Sequence, residues 1–121
     1  MTLNDLFAAE LDAEGIEYKR EYKPIPDRRF AYDFFIGSLN REVPLLIELQ
    51  GGTWMKRAGH NTGKGIQRDC EKLNLATLNE YAVMHFTTDD VMDGIAIDMV
   101  KKYLEKGWNG NSAFKSLPSR L

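Results

Sequence analysis

Two carboxylates sit inside runs that otherwise read as apolar β-strands. Asp33 interrupts Arg29-Phe30-Ala31-Tyr32-Asp33-Phe34-Phe35-Ile36, and Glu48 interrupts Leu45-Leu46-Ile47-Glu48-Leu49-Gln50. A buried charge without a partner disfavours any fold. Two such costs on neighbouring strands, at the same end of one sheet, suggest a shared partner. A divalent cation is the simplest shared partner. Ion pairs with Arg28, Arg29 or Arg41 are the competing assignment.

Periodicity places the other elements around these runs. Residues 3–14 carry Leu3, Leu6, Phe7 and Leu11 at helical spacing. Thr2 with Asp5 three residues on has the form of a capping box, and Gly15 is a natural stop. Residues 16–23 alternate weakly and suit an edge strand, before Pro24 and Pro26. Residues 29–36 and 43–50 predict two strands joined by a turn at 37–41, the second central and buried, with Pro44 tolerable only near its start. The glycine-rich stretch 51–65 predicts a long functional loop. Residues 66–80 predict a helix with Ile66, Cys70, Leu73, Ala76 and Leu78 inward. Residues 81–87 predict a strand. A last helix capped by Thr88 or Asp89 follows, carrying Val91, Met92, Ile95, Met99, Val100, Tyr103 and Leu104. The order αβββαβ(α) implies an α/β fold, a mixed sheet flanked by helices. One domain over 1–105 and a loose tail over 106–121 are expected.

The 121-residue length suits one core, and 43% hydrophobic with 28% charged residues is ordinary for a soluble globular protein. No apolar run approaches the roughly 20 residues of a membrane helix. The segment Met1–Leu6 lacks the basic-then-apolar pattern of a signal peptide, and Cys70 has no internal disulfide partner. A cytoplasmic, reducing setting is expected. The net charge of −2 does not favour nucleic acid, but its distribution is uneven. Basic residues concentrate in 19–29 and 56–72, and acidic ones in 5–17 and 80–98. One basic face on an acidic body, or ordinary solvated surface, both fit that pattern.

With Asp33 on the second strand and Glu48-Leu49-Gln50 on the third, the element order resembles the core of the PD-(D/E)XK nuclease superfamily. Gly51-Gly52-Thr53-Trp54, the loop with His60 and Lys64-Gly65, and Asp69-Cys70-Glu71-Lys72 resemble small phage-type endonucleases, similar to very-short-patch repair nucleases and Holliday-junction resolvases. The resemblance covers roughly residues 3–88. It implies a restriction-endonuclease-like core and a Mg²⁺- or Mn²⁺-dependent DNA endonuclease. Asp33, Glu48 and the backbone carbonyl of Leu49 would hold the metal. Gln50 stands where the superfamily has Lys; it can hydrogen-bond water but brings no charge. The resemblance implies a Lys from the following helix instead, with Lys72 the first candidate; Lys64, on the glycine-rich loop, is the second. It also suggests an outer acidic ligand, Glu10 on the first helix or Glu21 on the first strand, either of which reads equally as surface charge.

Lys56, Arg57, His60, Lys64 and Arg68 are the candidate DNA contacts, with phosphates as their targets. Trp54 would stack on a base or close the core. His85 and Cys70 read as structural. The segment Gly59–Gly65 fails the P-loop pattern, because Ala58 occupies its first glycine position and Gly65 follows the lysine. One Cys and two His are too few for a zinc site. Branched DNA, cut by a possible homodimer as in recombination or repair, is the leading substrate. A mismatch-nicking or restriction-type nuclease and a catalytically silent nucleic-acid-binding domain are the alternatives.

Overall fold

The computed structural model describes residues 1–37, 43–51 and 63–106. Helix α1 (Leu3–Ala13) leads into strands β1 (Lys19–Tyr22), β2 (Tyr32–Ile36) and β3 (Leu45–Gln50). Helix α2 (Gly63–Leu78), strand β4 (Ala82–Thr87) and helices α3 (Thr88–Met92) and α4 (Ile95–Lys106) complete the chain. The sheet order is β1-β2-β3-β4, antiparallel except for the parallel β3–β4 pair. The mixed sheet flanked by helices agrees with the sequence, and so does the edge position of β1.

Local chemistry fixes the helix ends. Thr2 Oγ1 accepts from Asp5 N and Asp5 Oδ2 accepts from Thr2 N, both at 3.0 Å, so the capping box is complete. Gly15 follows the α1 C-cap with φ of +71°, a left-handed conformation that disfavours other residues. The final helix departs from expectation in two ways. Its N-cap is Thr87, not Thr88 or Asp89, and its capping box is closed by Asp90. It is also two helices, because Gly94 adopts φ of +80° and turns the chain between α3 and α4. That turn buries Val91, Ala96 and Val100 and leaves Met92, Ile95 and Met99 outside.

The sheet separates two apolar clusters. On one face Phe34, Ile36, Leu45 and Ile47 pack against Phe7 and Leu11 of α1 and Val91 and Val100 of α3 and α4. The Phe7 and Phe34 rings meet edge to face at 5.3 Å. On the other face Leu46, Tyr32 and Ile25 meet Ala76 of α2.

Helix α2 corrects the sequence reading most. It starts at Gly63, so the last residues of the expected loop are already helical, and it ends at Leu78. Its buried residues are Gly65 and Ala76. Cys70, Ile66, Leu73 and Leu78 are exposed rather than core. Gly65, Lys72 and Ala76 recur at helical spacing on one line. That line faces the sheet, which rotates the apolar stripe by about one residue, or 100°, towards solvent. Lys72 lies on that line, and its ammonium reaches Glu48. All but Gly37 of the expected turn at 37–41, most of the 51–65 loop and all but Lys106 of the 106–121 tail lie outside the described residues.

Candidate active site

The ladder between β2 and β3 runs through Ile36–Leu45, Phe35–Leu46 and Phe34–Ile47. One step further, Asp33 faces Glu48, and there side chains take over from backbone. Asp33 N donates to Glu48 Oε1 at 3.2 Å, and Leu49 N donates to Asp33 Oδ2 at 2.7 Å. Each carboxylate thus satisfies a backbone donor of the other strand, which is how two acids are tolerated in apolar runs. Side-chain alternation also breaks here. Phe34 packs on the α1 face, whereas Tyr32, two residues away, packs with Leu46 on the α2 face.

Helix α2 supplies the cation. Lys72 Nζ donates to Glu48 Oε2 in a close ion pair and to Ala31 O at 2.9 Å. It also lies 4.7 Å from the centre of the Tyr32 ring. The Tyr32 hydroxyl donates to Lys72 O at 2.6 Å, so strand and helix hold each other at two points. Burial, and then the Glu48 charge, push the Tyr32 hydroxyl up to about 12, so it stays a donor across the neutral range. Burial pushes the Glu48 carboxyl above its ordinary value, and the neighbouring Asp33 charge adds to this. The Lys72 ammonium pulls in the opposite direction without cancelling it.

A cavity of about 260 Å³ opens beside this pair, walled by Tyr32, Glu48 and Gln50 on the sheet and by Asp69 and Lys72 on α2. His85 closes it from β4, where the parallel register sets it next to Glu48. The Gln50 amide Nε2 lies 3.1 Å from His85 Nδ1. An amide N–H can only donate, so in this contact the acceptor is Nδ1. The sequence reading left His85 as structural; the structure makes it an exposed part of the site wall. The signal was available: His85 is a polar residue inside an apolar β-run, as Asp33 and Glu48 are.

The donor set suits a hard divalent cation. Mg²⁺ takes one or two carboxylates and fills its octahedron with water and substrate oxygens. Asp33 and Glu48 supply that pair on adjacent strands, and their mutual repulsion is the cost a cation would relieve. Among the described residues no third His, Cys, Asp or Glu joins them in a cluster able to hold a metal. Glu10 and Glu21 are thus not gathered with the pair. Glu10 Oε1 is shielded from solvent, without a hydrogen bond among the described residues, and burial raises its carboxyl above the ordinary value. Glu21 is exposed on β1 with φ of +51°.

Among the described residues neither Arg28 nor Arg29 forms an ion pair with Asp33 or Glu48. Arg28 Nη1 pairs with Glu71 Oε2 at 2.5 Å, not with Asp33 or Glu48. Arg41 lies outside the described residues, as do Trp54, Lys56, Arg57 and His60. Lys64 and Arg68 lie exposed on the first two turns of α2.

Comparison with family models and with curated proteins finds no match. Among solved structures, the fold is similar to that of the homing endonuclease I-Bth0305I catalytic domain. The TM-score is 0.58 with 24% sequence identity, over 89% of this chain and 94% of that one. The likeness therefore extends over nearly the whole of both chains, and what it establishes is a shared fold: a four-stranded mixed sheet with helices on both faces.

Proposed function

We propose that this chain is a metal-dependent DNA endonuclease whose reactive centre is Asp33, Glu48, Gln50 and Lys72. The observation that carries the reading is the Asp33–Glu48 pair facing across β2 and β3 with Lys72 brought to it from α2. The similarity in fold to a homing endonuclease catalytic domain supports the same reading. Asp33, Glu48 and the Leu49 carbonyl would hold Mg²⁺ or Mn²⁺. The ion, when bound, would supply Lewis acidity to a phosphodiester.

The chain's own groups do the rest. Leu49 N and Asp33 N fix the two carboxylates in place. Lys72 offsets their charge, so that a phosphate can approach. The Gln50 amide, itself held against His85, presents polar atoms to the cavity and is suited to orienting an attacking water. The Tyr32–Lys72 hydrogen bond keeps the helix, and hence the ammonium, at a fixed height over the sheet. Lys72 in this arrangement brings the positive charge that Gln50 lacks.

Branched DNA is the proposed substrate. A small domain has little surface for long sequence readout, and a two-fold homodimer matches the paired cut sites of a junction. The test is cleavage of a four-way junction, a mismatched duplex, a plain duplex and single strands, each with Mg²⁺, Mn²⁺ or EDTA. Paired metal-dependent nicks confined to the junction are expected. Glu48→Gln abolishes them while a thermal melt shows it folded. Lys72→Ala loses far more rate than Lys56→Ala. Full activity of Glu48→Gln would refute the site, and binding without any cleavage would make the chain a silent nucleic-acid-binding domain.

A further inference from the structure

A second cavity, of about 310 Å³, lies on the neighbouring face of α2 and takes no part in the carboxylate centre. Its walls carry Arg28 and Phe30 from the segment before β2, and Lys64, Gln67, Arg68 and Glu71 from α2. Three cations against one carboxylate make it a positive recess. The carboxylate is already engaged, since Glu71 pairs with Arg28. Among the described residues Lys64 and Arg68 have no acidic partner.

Arg28 is unusually well fixed for a surface arginine. Its guanidinium lies 4.5 Å from the centre of the Phe30 ring, and Glu71 holds its Nη1. The ring restricts the orientation of the fork, which lowers the entropy lost when it binds an anion, whereas Glu71 occupies Nη1 and competes with that anion. The same segment reaches the first site three residues later. Ala31 O accepts from Lys72, and Tyr32 donates to Lys72 O. Arg68 precedes Lys72 by one helical turn, about 6 Å along the axis. The recess and the carboxylate centre are thus held at a fixed spacing by one helix and one strap.

We infer that Arg28, Lys64 and Arg68 form a subsite for a backbone phosphate of the bound DNA strand flanking the one that is cut. Phe30 acts as the positioning residue that pre-sets Arg28, and Glu71, which holds Arg28 in the free protein, is the carboxylate that an incoming phosphate displaces. This rests on the endonuclease reading and adds to it a defined contact outside the reactive centre. The recess sits on the α2 face of the sheet, away from the acidic residues of α1, α3 and the start of α4. A polyanion tracking along α2 therefore meets both cavities without crossing the acidic face.

The experiment is equilibrium binding of the same labelled four-way junction and plain duplex in EDTA, where nothing is cut, as a function of salt. Arg28→Gln, Arg68→Gln and Glu71→Gln are compared with wild type, with Lys102→Gln on α4 as control. Each removed phosphate contact lowers the slope of log affinity against log salt by about one. At 0.1 M salt that amounts to about a tenfold weaker complex for Arg28→Gln and for Arg68→Gln. Glu71→Gln, which removes the one carboxylate of the recess, has the opposite sign and binds about threefold more tightly. A pair that merely braced the fold would move both of its members in the same direction. Thermal melts identify any variant whose loss is one of folding, and Glu71→Gln then carries the decision. Wild-type binding with unchanged slopes in Arg28→Gln and Arg68→Gln, or weaker binding by Glu71→Gln, would overturn the subsite and leave the endonuclease reading intact. Absence of any wild-type binding or cleavage would overturn both.

Discussion

Glu10 shows how one side chain's surroundings set a pH response. Its Oε1 is shielded and unbonded among the described residues, and burial raises its pKa in the folded state. A raised carboxyl means that the folded chain holds the proton more firmly than the unfolded chain. Stability from this group is therefore fully present below the unfolded value near 4.5 and falls as pH rises through the folded one. Glu10→Gln removes that loss. Chemical denaturation at pH 7 should find the variant more stable by up to about 1 kcal/mol, because a shielded carboxylate costs more than a neutral amide in the same place. At pH 4 the difference should vanish. Equal stability of the two proteins at both pH values would show that the Glu10 carboxylate is not penalised. Asp33 and Glu48 differ from Glu10 in their hydrogen bonding: each accepts a backbone N–H of the other's strand, so the carboxylate is anchored there.

At the scale of elements, α2 shows what residue periodicity misses. The stripe of Ile66, Cys70, Leu73 and Leu78 suggests an inward face, but the face that packs is the line through Gly65, Lys72 and Ala76. Small residues at 65 and 76 let the helix approach the sheet, and Lys72 spans the gap to Glu48. Ile66→Gln and Leu78→Gln should each change stability by less than about 0.5 kcal/mol in denaturant melts, as exposed substitutions do. Ala76→Leu should cost about 1–3 kcal/mol, because it forces extra volume between α2 and Leu46. A large loss in the first two variants would return the apolar stripe to the core. The elements whose ends are governed by short-range chemistry were legible in advance: α1, with its Thr2–Asp5 box and Gly15, is the clearest.

For the molecule as a whole, the sheet works as a partition. Its α1 face is apolar and tightly packed, with Phe34 fully buried and in ring contact with both Phe7 and Tyr18. Its α2 face carries a smaller cluster and both cavities. Phe34→Ala should lower stability by about 3–5 kcal/mol, with one cooperative transition retained, because it opens a void in the larger core. Retention of full stability would mean that this face does not anchor the fold. Separating a rigid core from a polar working face lets Glu48, Lys72 and His85 face a cavity while the sheet stays braced from behind.

The sequence by itself determined the element order, the capping of α1, the mixed sheet and the two strands that bear Asp33 and Glu48. Those features depend on neighbours a few residues apart, which is the range over which side-chain pattern and backbone preference act. It named Lys72 as a candidate only through resemblance. The tertiary structure alone decided that α2 turns its Lys72 line to the sheet, that His85 stands beside Glu48 and Gln50, and that Arg28 belongs to Glu71. It also decided that Gly94 divides the final helix so that Val91 and Val100 both reach the core. Each of these depends on a partner 24 or more residues away in the chain or on the packing of whole elements. A charge meets such a partner only once the sheet has fixed the register and the helix has come down on it.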